Sequence, residues 1–130
     1  MSLRSSVTGF LLIIGLLISP TLAFENLNAK EFKEKLEKTK NAILIDVRTP
    51  KEYLEDGHIP NSNLIPLQIF EYIYLGGLKD KSVFVYCRSG HRSAKASEIL
   101  EKMGIKKIYN LKGGFQSWKS AGFPVEYGYK

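Results

Sequence analysis

Apolar residues fall along the chain in one early block and then in shorter ones that alternate between extended and helical spacing. After Arg4, residues 7–18 carry no charge and include Phe10, Leu11, Leu12, Ile13 and Ile14; Ser19-Pro20 breaks the run, and Thr21-Leu22-Ala23 follows. A positive start, a short apolar stretch and a small-residue exit form the pattern of an export signal. The stretch falls short of the ~20 apolar residues that a bilayer-spanning helix needs. Cleavage after Ala23 is expected, leaving residues 24–130 as one domain in a periplasmic or secreted protein. The alternative is a retained anchor, which Pro20 weakens and which is the one way a membrane becomes a partner.

Asn28-Ala29-Lys30-Glu31 has the spacing of a capping box, and Leu27 with Phe32 that of a hydrophobic staple, so a first helix is predicted from Ala29 to before Asn41. Phe32 and Leu36 share its inner face. Ala42-Ile43-Leu44-Ile45, ending at Asp46, reads as a strand covered on both faces. Thr49-Pro50-Lys51-Glu52 predicts a short helix that stops at Gly57, and residues 63–66 a short strand. Residues 67–75 are predicted as a helix closed by Gly76-Gly77. A strand at 83–86, a helix at 93–103 stopped by Gly104, a short strand at Ile108-Tyr109, a turn at Gly113-Gly114 and a helix at 115–120 complete the pattern. Strands alternating with helices imply an α/β fold with one mostly parallel sheet between helical layers.

Composition adds three constraints. At 130 residues, 44% hydrophobic and 25% charged, the chain has the length and core-forming content of a single packed domain. Without residues 1–23 it loses only Arg4 from its 19 lysines and arginines, so 18 face 13 acidic residues, a net charge of +5. The lysines are spread over the chain, which argues for a solvated surface and against nucleic acid, while favouring anionic small substrates. Cys87 is the single cysteine, so no intramolecular disulfide can form. A lone thiol in an exported protein is inert and buried, bridged to another chain, or kept for its reactivity.

The surroundings of Cys87 favour reactivity. Cys87-Arg88-Ser89-Gly90-His91-Arg92 joins a strand to a helix, where ligands of open α/β sheets bind. Successive backbone N–H groups and the helix dipole make such a loop an anion cradle. Arg88 and Arg92 add positive charge, Gly90 permits the turn, His91 is placed to orient or charge the loop, and Ser93 is expected either to cap the helix or to donate to the sulfur. Such an environment lowers a cysteine pKa from ~8.5 to as little as ~3.5. His58 and Trp118 are read as structural, and Asp46 with Arg48 as an ion pair at a strand end.

Three motifs together resemble the rhodanese homology domain. Leu44-Ile45-Asp46-Val47-Arg48 with Glu52-Tyr53 and Gly57-His58-Ile59-Pro60-Asn61-Ser62 is similar to its amino-terminal signature. Residues 85–93 are similar to its active-site loop, and Gly113-Gly114-Phe115 with Trp118 and Gly122-Phe123-Pro124-Val125 to its carboxyl-terminal one. The resemblance implies a rhodanese-like α/β fold: a central five-stranded, mostly parallel sheet flanked by helices on both faces. It implies a thiosulfate sulfurtransferase in which Cys87 is catalytic and Arg88, Ser89, Gly90, His91, Arg92 and Ser93 bind substrate. Sulfur from thiosulfate or a persulfide donor would rest on Cys87 before passing to cyanide, a thiol or a protein acceptor, with no metal or organic cofactor required. Asn61-Ser62 stands where many members have Gly-Ala.

Two other functions are considered. A sulfur carrier acting with a protein partner would use the same persulfide, with the apolar run at 69–75 as a docking face, although helix core is the better use for most of that run. A cysteine-dependent phosphatase or arsenate reductase would need the related pattern of Cys, five residues and Arg; here five residues after Cys87 lead to Ser93, and Arg92 comes one position early.

Overall fold

The computed structural model describes residues 24–129; the predicted signal and its cleavage point after Ala23 lie outside them. Strands β1 (Phe24–Leu27), β2 (Ala42–Asp46), β3 (Asn63–Leu64), β4 (Ser82–Tyr86) and β5 (Lys107–Leu111) form one sheet in the order β1-β5-β4-β2-β3, and all pairs are parallel. Helices α1 (Ala29–Lys38), α2 (Leu67–Phe70), α3 (His91–Lys102) and α4 (Gly114–Ser120) cover it. Among the described residues no helix is long and apolar enough to cross a membrane.

The sheet has a core on each face because β4, its central strand, is buried throughout and alternates sides. Val83, Val85 and Cys87 point into one cluster, with Phe70, Ala96, Leu100 and Ile108. Phe84 and Tyr86 point into the other, with Phe32, Leu111, Phe115 and Trp118. Trp118 anchors α4 as expected: it is buried, its indole N–H donates to the Pro124 carbonyl at 2.8 Å, and its ring meets Phe123 edge-on. The cap of α1 is also as predicted: Asn28 accepts the Glu31 N–H at 2.8 Å, and the Glu31 carboxylate accepts the Asn28 N–H at 3.0 Å.

Three elements differ from the sequence reading. Strand β1 was not predicted from the residues; it is four residues long, only Phe24 in it is buried, and its register with β5, Phe24 opposite Ile108, comes from the partner strand. The segment at 67–75 is helical only as far as Phe70, then turns and tightens into a 3-10 turn at Gly76–Leu78. Phe70 is enough to reach the core, whereas Tyr72 and Tyr74 are each 84% exposed, and aromatic residues lend a helix little help of their own. Third, residues Glu52–Asp56 are wound as a wide π-type turn. Asn61 adopts a left-handed φ of +68°, a conformation glycine reaches without cost and asparagine tolerates, so Asn61 serves the turn where the resembling sequences have Gly.

Candidate active site

The chain runs from β2 to β3 on one side and from β4 to β5 on the other, so the crevice beyond the carboxyl ends of β2 and β4 is the switch point where ligands bind. Cys87 immediately follows β4 at that place and is only 1% exposed. Its Sγ accepts the Gly90 N–H at 3.0 Å and lies 3.4 Å from the Ser93 hydroxyl. Burial, the strongest single influence, pushes the thiol up. Hydrogen bonds from the Ser93 hydroxyl and from the N–H groups of Ser93, Gly90 and Ser89 outweigh it together, and the thiol is held below its ordinary value.

The loop keeps this shape because its carbonyls are tied down behind it. The Phe115 N–H donates to the Cys87 carbonyl at 2.8 Å and the Gln116 N–H to the Arg88 carbonyl at 3.1 Å. In a trans peptide the N–H points opposite to the C=O, so pinning those two carbonyls to α4 turns the N–H groups of Arg88 and Ser89 away from α4. Gly90, at φ +113°, ends the loop in the left-handed region, and its carbonyl accepts from Ala94 N–H, the Ser93 hydroxyl and the Asn110 amide. The helix cap is therefore Gly90 and α3 starts at His91, two residues earlier than predicted. Ser93 has one hydroxyl proton for two acceptors, the sulfur and the Gly90 carbonyl.

The two arginines part company. Arg92, in the first turn of α3, makes a two-pronged ion pair with Glu52, Nη1 to Oε1 and Nη2 to Oε2, both at 2.8 Å. Glu52 also closes a reciprocal cap with Thr49, whose hydroxyl and N–H it accepts at 3.0 and 3.1 Å. Arg88 is exposed and makes no side-chain hydrogen bond or ion pair among the described residues. His91 is exposed too, its Nδ1 3.5 Å from the Ser89 hydroxyl.

Asp46 and Arg48 form the expected ion pair, fully buried, with Arg48 Nη2 at 2.7 Å from both Asp46 Oδ2 and the Gly57 carbonyl. The Arg48 guanidinium carbon lies 4.4 Å from the Phe115 ring centroid and 5.5 Å from that of Tyr86, so the pair supports the start of α4, which in turn holds the sulfur loop. His58 is buried: its ring stacks on Tyr53 at 3.6 Å, and its Nδ1 is 3.0 Å from the Tyr53 carbonyl. A recess of about 330 Å³ lies among α1, β2, residues 59–61 and Trp118 and includes none of residues 87–93. Another, of about 570 Å³, borders Arg88, Phe115 and Lys119.

Cys87 thus sits at a strand end, with Gly90 and Ser93 donors at its sulfur and a glycine-led helix behind its loop, and the rhodanese-like domain family model matches residues 28–121. The chain belongs to the rhodanese-like family. A protein named sulfurtransferase from Allochromatium vinosum is 32% identical over 99 residues, covering 76% of this chain and 92% of that one. A rhodanese-like domain protein of Staphylococcus aureus is 34% identical with a TM-score of 0.68, covering 81% and 99%. A Rhodopseudomonas palustris structure described as a protein of unknown function and possible tyrosine phosphatase is 29% identical with a TM-score of 0.71, covering 80% and 86%. Membership supports sulfurtransferase-type activity in general.

In this rhodanese-like site the sequence reading missed two parts. Glu52 was read as part of a helix start and of the amino-terminal signature, and nothing local signals that its carboxylate also meets Arg92, 40 positions away. Gly113-Gly114 was read as a turn and as part of the carboxyl-terminal signature, with no sign of what it approaches. A Cβ on Gly114, at φ +61°, would press on the Arg88 carbonyl group and lie 2.6 Å from the Ser89 nitrogen, so α4 reaches the loop only because Gly114 has no side chain.

Arg92, the strongest influence on Glu52, holds that carboxyl down to about 2, against burial and with help from Thr49. A depressed folded-state pKa means that this pair stabilises fully above the ordinary value of 4.5 and loses its contribution as the pH falls from there towards 2. Glu52→Gln is therefore expected to melt below wild type at neutral pH and to converge with it as the pH approaches 2. Thermal melts across that range check it; a gap that stays constant would assign the loss to packing instead.

Proposed function

We propose that this protein is a thiosulfate-type sulfurtransferase that carries sulfane sulfur on Cys87. The observation that supports it most is the Cys87 sulfur itself, buried, with Gly90 N–H and the Ser93 hydroxyl directed at it and its thiol pulled below the ordinary value. The Cys87 thiolate attacks the outer sulfur of thiosulfate; the bond between the two thiosulfate sulfurs breaks, and its electron pair leaves with sulfite. What remains is Cys87–S–S⁻, whose outer sulfur occupies the space in front of the ring of N–H groups, where fixed dipoles stabilise the charge without reorganising. Cyanide or a thiolate then attacks that outer sulfur, and the pair of the broken S–S bond returns to Cys87. No metal or organic cofactor enters either half.

The loop suits sulfur better than a phosphoryl group. The arginine nearest in position to a phosphate-binding one, Arg92, is engaged at both nitrogens by Glu52, and the loop is one residue shorter than the phosphatase pattern. Export, with cleavage after Ala23, belongs to the same proposal and rests on the positive start, short apolar stretch and small-residue exit of residues 1–23.

Intact-mass measurement of the protein recovered from the host tests both parts. The expected species begins at Phe24 and gains one sulfur on incubation with thiosulfate, which cyanide removes. A mass that thiosulfate never changes would overturn the persulfide, and a chain starting at Met1 would overturn the cleavage.

A further inference from the structure

Resting on the sulfur-transfer reading above, we propose that Asn110, on β5 and outside the loop, is a positioning residue: it occupies the Gly90 carbonyl, so that the Ser93 hydroxyl gives its one proton to the Cys87 sulfur.

Three donors converge on the Gly90 carbonyl: the Ala94 N–H at 3.1 Å, the Ser93 hydroxyl at 3.2 Å and the Asn110 amide nitrogen at 3.4 Å. A carbonyl oxygen has two lone pairs, so one donor is in excess. The Ala94 N–H belongs to the hydrogen-bond ladder of α3 and stays, which leaves one place for Asn110 or Ser93. Asn110 carries two protons, and the Asn26 side-chain oxygen at 2.9 Å takes only one of them. Ser93 carries one and has a second acceptor, the Cys87 sulfur at 3.4 Å. All four protons find a lone pair of their own in one arrangement: Ala94 and Asn110 on the Gly90 carbonyl, Asn110 also on Asn26, and Ser93 on the sulfur. The competition for the Ser93 proton is thereby decided from a neighbouring strand.

The sheet fixes Asn110 in this role. It is buried, and β5 holds it between Asn26 of β1 and Val85 of β4, two positions before Cys87. The Gly90 carbonyl can only accept, so the nitrogen of the amide and not its oxygen faces it. That oxygen is buried with no hydrogen-bond partner among the described residues, so the side chain contributes through its two donors. Exchanging this neutral group leaves the charges around the sulfur as they are: Arg92 with Glu52, the loop's Arg88 and His91, and the buried Asp46–Arg48 pair. What changes is the number of protons directed at the sulfur.

Cys87 is the single cysteine, so its rate of alkylation by iodoacetamide against pH reports its ionisation without any transfer chemistry. Ser93→Ala is expected to raise the midpoint by about one pH unit, the loss of one hydrogen bond to a charged sulfur. Asn110→Leu is expected to raise it by about half a unit, because the Ser93 hydroxyl then turns to the carbonyl that Asn110 has left. The double variant is expected to rise no further than Ser93→Ala alone. With thiosulfate, kcat/KM of Asn110→Leu should fall below wild type at acid pH and approach it above both midpoints. Asn26→Ala, at an exposed position, removes the acceptor that orients the amide; it should shift the midpoint the same way by less, and it carries the test if Asn110→Leu does not fold. An unmoved midpoint in the folded variants would overturn the role of Asn110. So would a shift that Asn110→Leu adds in full on top of Ser93→Ala, which would assign it to the apolar leucine instead. Mass measurement after thiosulfate is scored separately: no added sulfur on the unaltered protein would remove the sulfur-transfer reading while the shifts stand, and added sulfur without the shifts would remove only the role of Asn110.

Discussion

Cys87→Ser is expected to reduce thiocyanate formation from thiosulfate and cyanide to background while leaving the fold in place. The chain has one cysteine, so no second thiol can hold the intermediate. A serine hydroxyl is a poor nucleophile at neutral pH and makes no persulfide, so the loss is of the whole covalent pathway and not of one stabilising contact. The fold should survive because the substitution is nearly isosteric and the serine oxygen can accept the same Gly90 N–H that the sulfur accepts at 3.0 Å. A matching circular dichroism spectrum and thermal melt would establish that, and thiocyanate production comparable to wild type would rule out the Cys87 persulfide. In the wild type, rate against pH should show its acid limb below the pKa of an ordinary thiol, since hydrogen bonds from Ser93, Gly90 and Ser89 outweigh burial at this sulfur.

Gly114→Ala is expected to damage the same activity from behind the loop. The new methyl would meet backbone, the Arg88 carbonyl group and the Ser89 nitrogen, which cannot swing away as a side chain can. Overpacking of that kind costs about 1–3 kcal/mol, and a left-handed backbone adds about 1–2 kcal/mol for a residue with a Cβ. Against a typical domain stability of about 5–15 kcal/mol, the variant should fold but melt on the order of ten degrees lower. Moving Arg88 and Ser89 also loosens the bonds from Phe115 and Gln116 that aim the loop, so kcat/KM with thiosulfate should fall by roughly a hundredfold or more. Gly122→Ala is the matched control, because Gly122 has a φ of +78° and nothing within 4 Å of an added Cβ. It should show the backbone strain alone, a small drop in melting temperature and near-normal kinetics. Equal kinetic losses in the two variants would mean that the close approach of α4 to the loop is not what shapes the site.

Much of the architecture was legible in the order of residues because its signals are local. The capping box at Asn28 and Glu31 acts across three positions, and the apolar runs of β2 and β4 announce strands buried on both faces. Cys87, Gly90 and Ser93 could be picked out for the same reason: the loop, the turn residue and the helix start are consecutive, and short-range geometry already brings their donors to one sulfur. Strand β1 escaped because four residues with one buried side chain carry no periodicity of their own; the strand exists by virtue of the edge that β5 offers.

Charge near the sulfur behaved differently. Sequence alone places Arg88 and Arg92 in one loop and counts two positive charges, and it has no means of seeing that Glu52, brought over from the segment after β2, takes both nitrogens of Arg92 and leaves Arg88 free among the described residues. Nor does Gly113-Gly114 reveal which backbone lies 2.6 Å from a missing methyl. The sequence by itself determined where Cys87 and its loop fall and the alternating layers around them, because those depend on neighbours within a few positions. The tertiary structure decided which charges remain available and what holds the loop from behind, because electrostatic pairing and steric contact depend on distance in space, and the chain returns to that space only after folding.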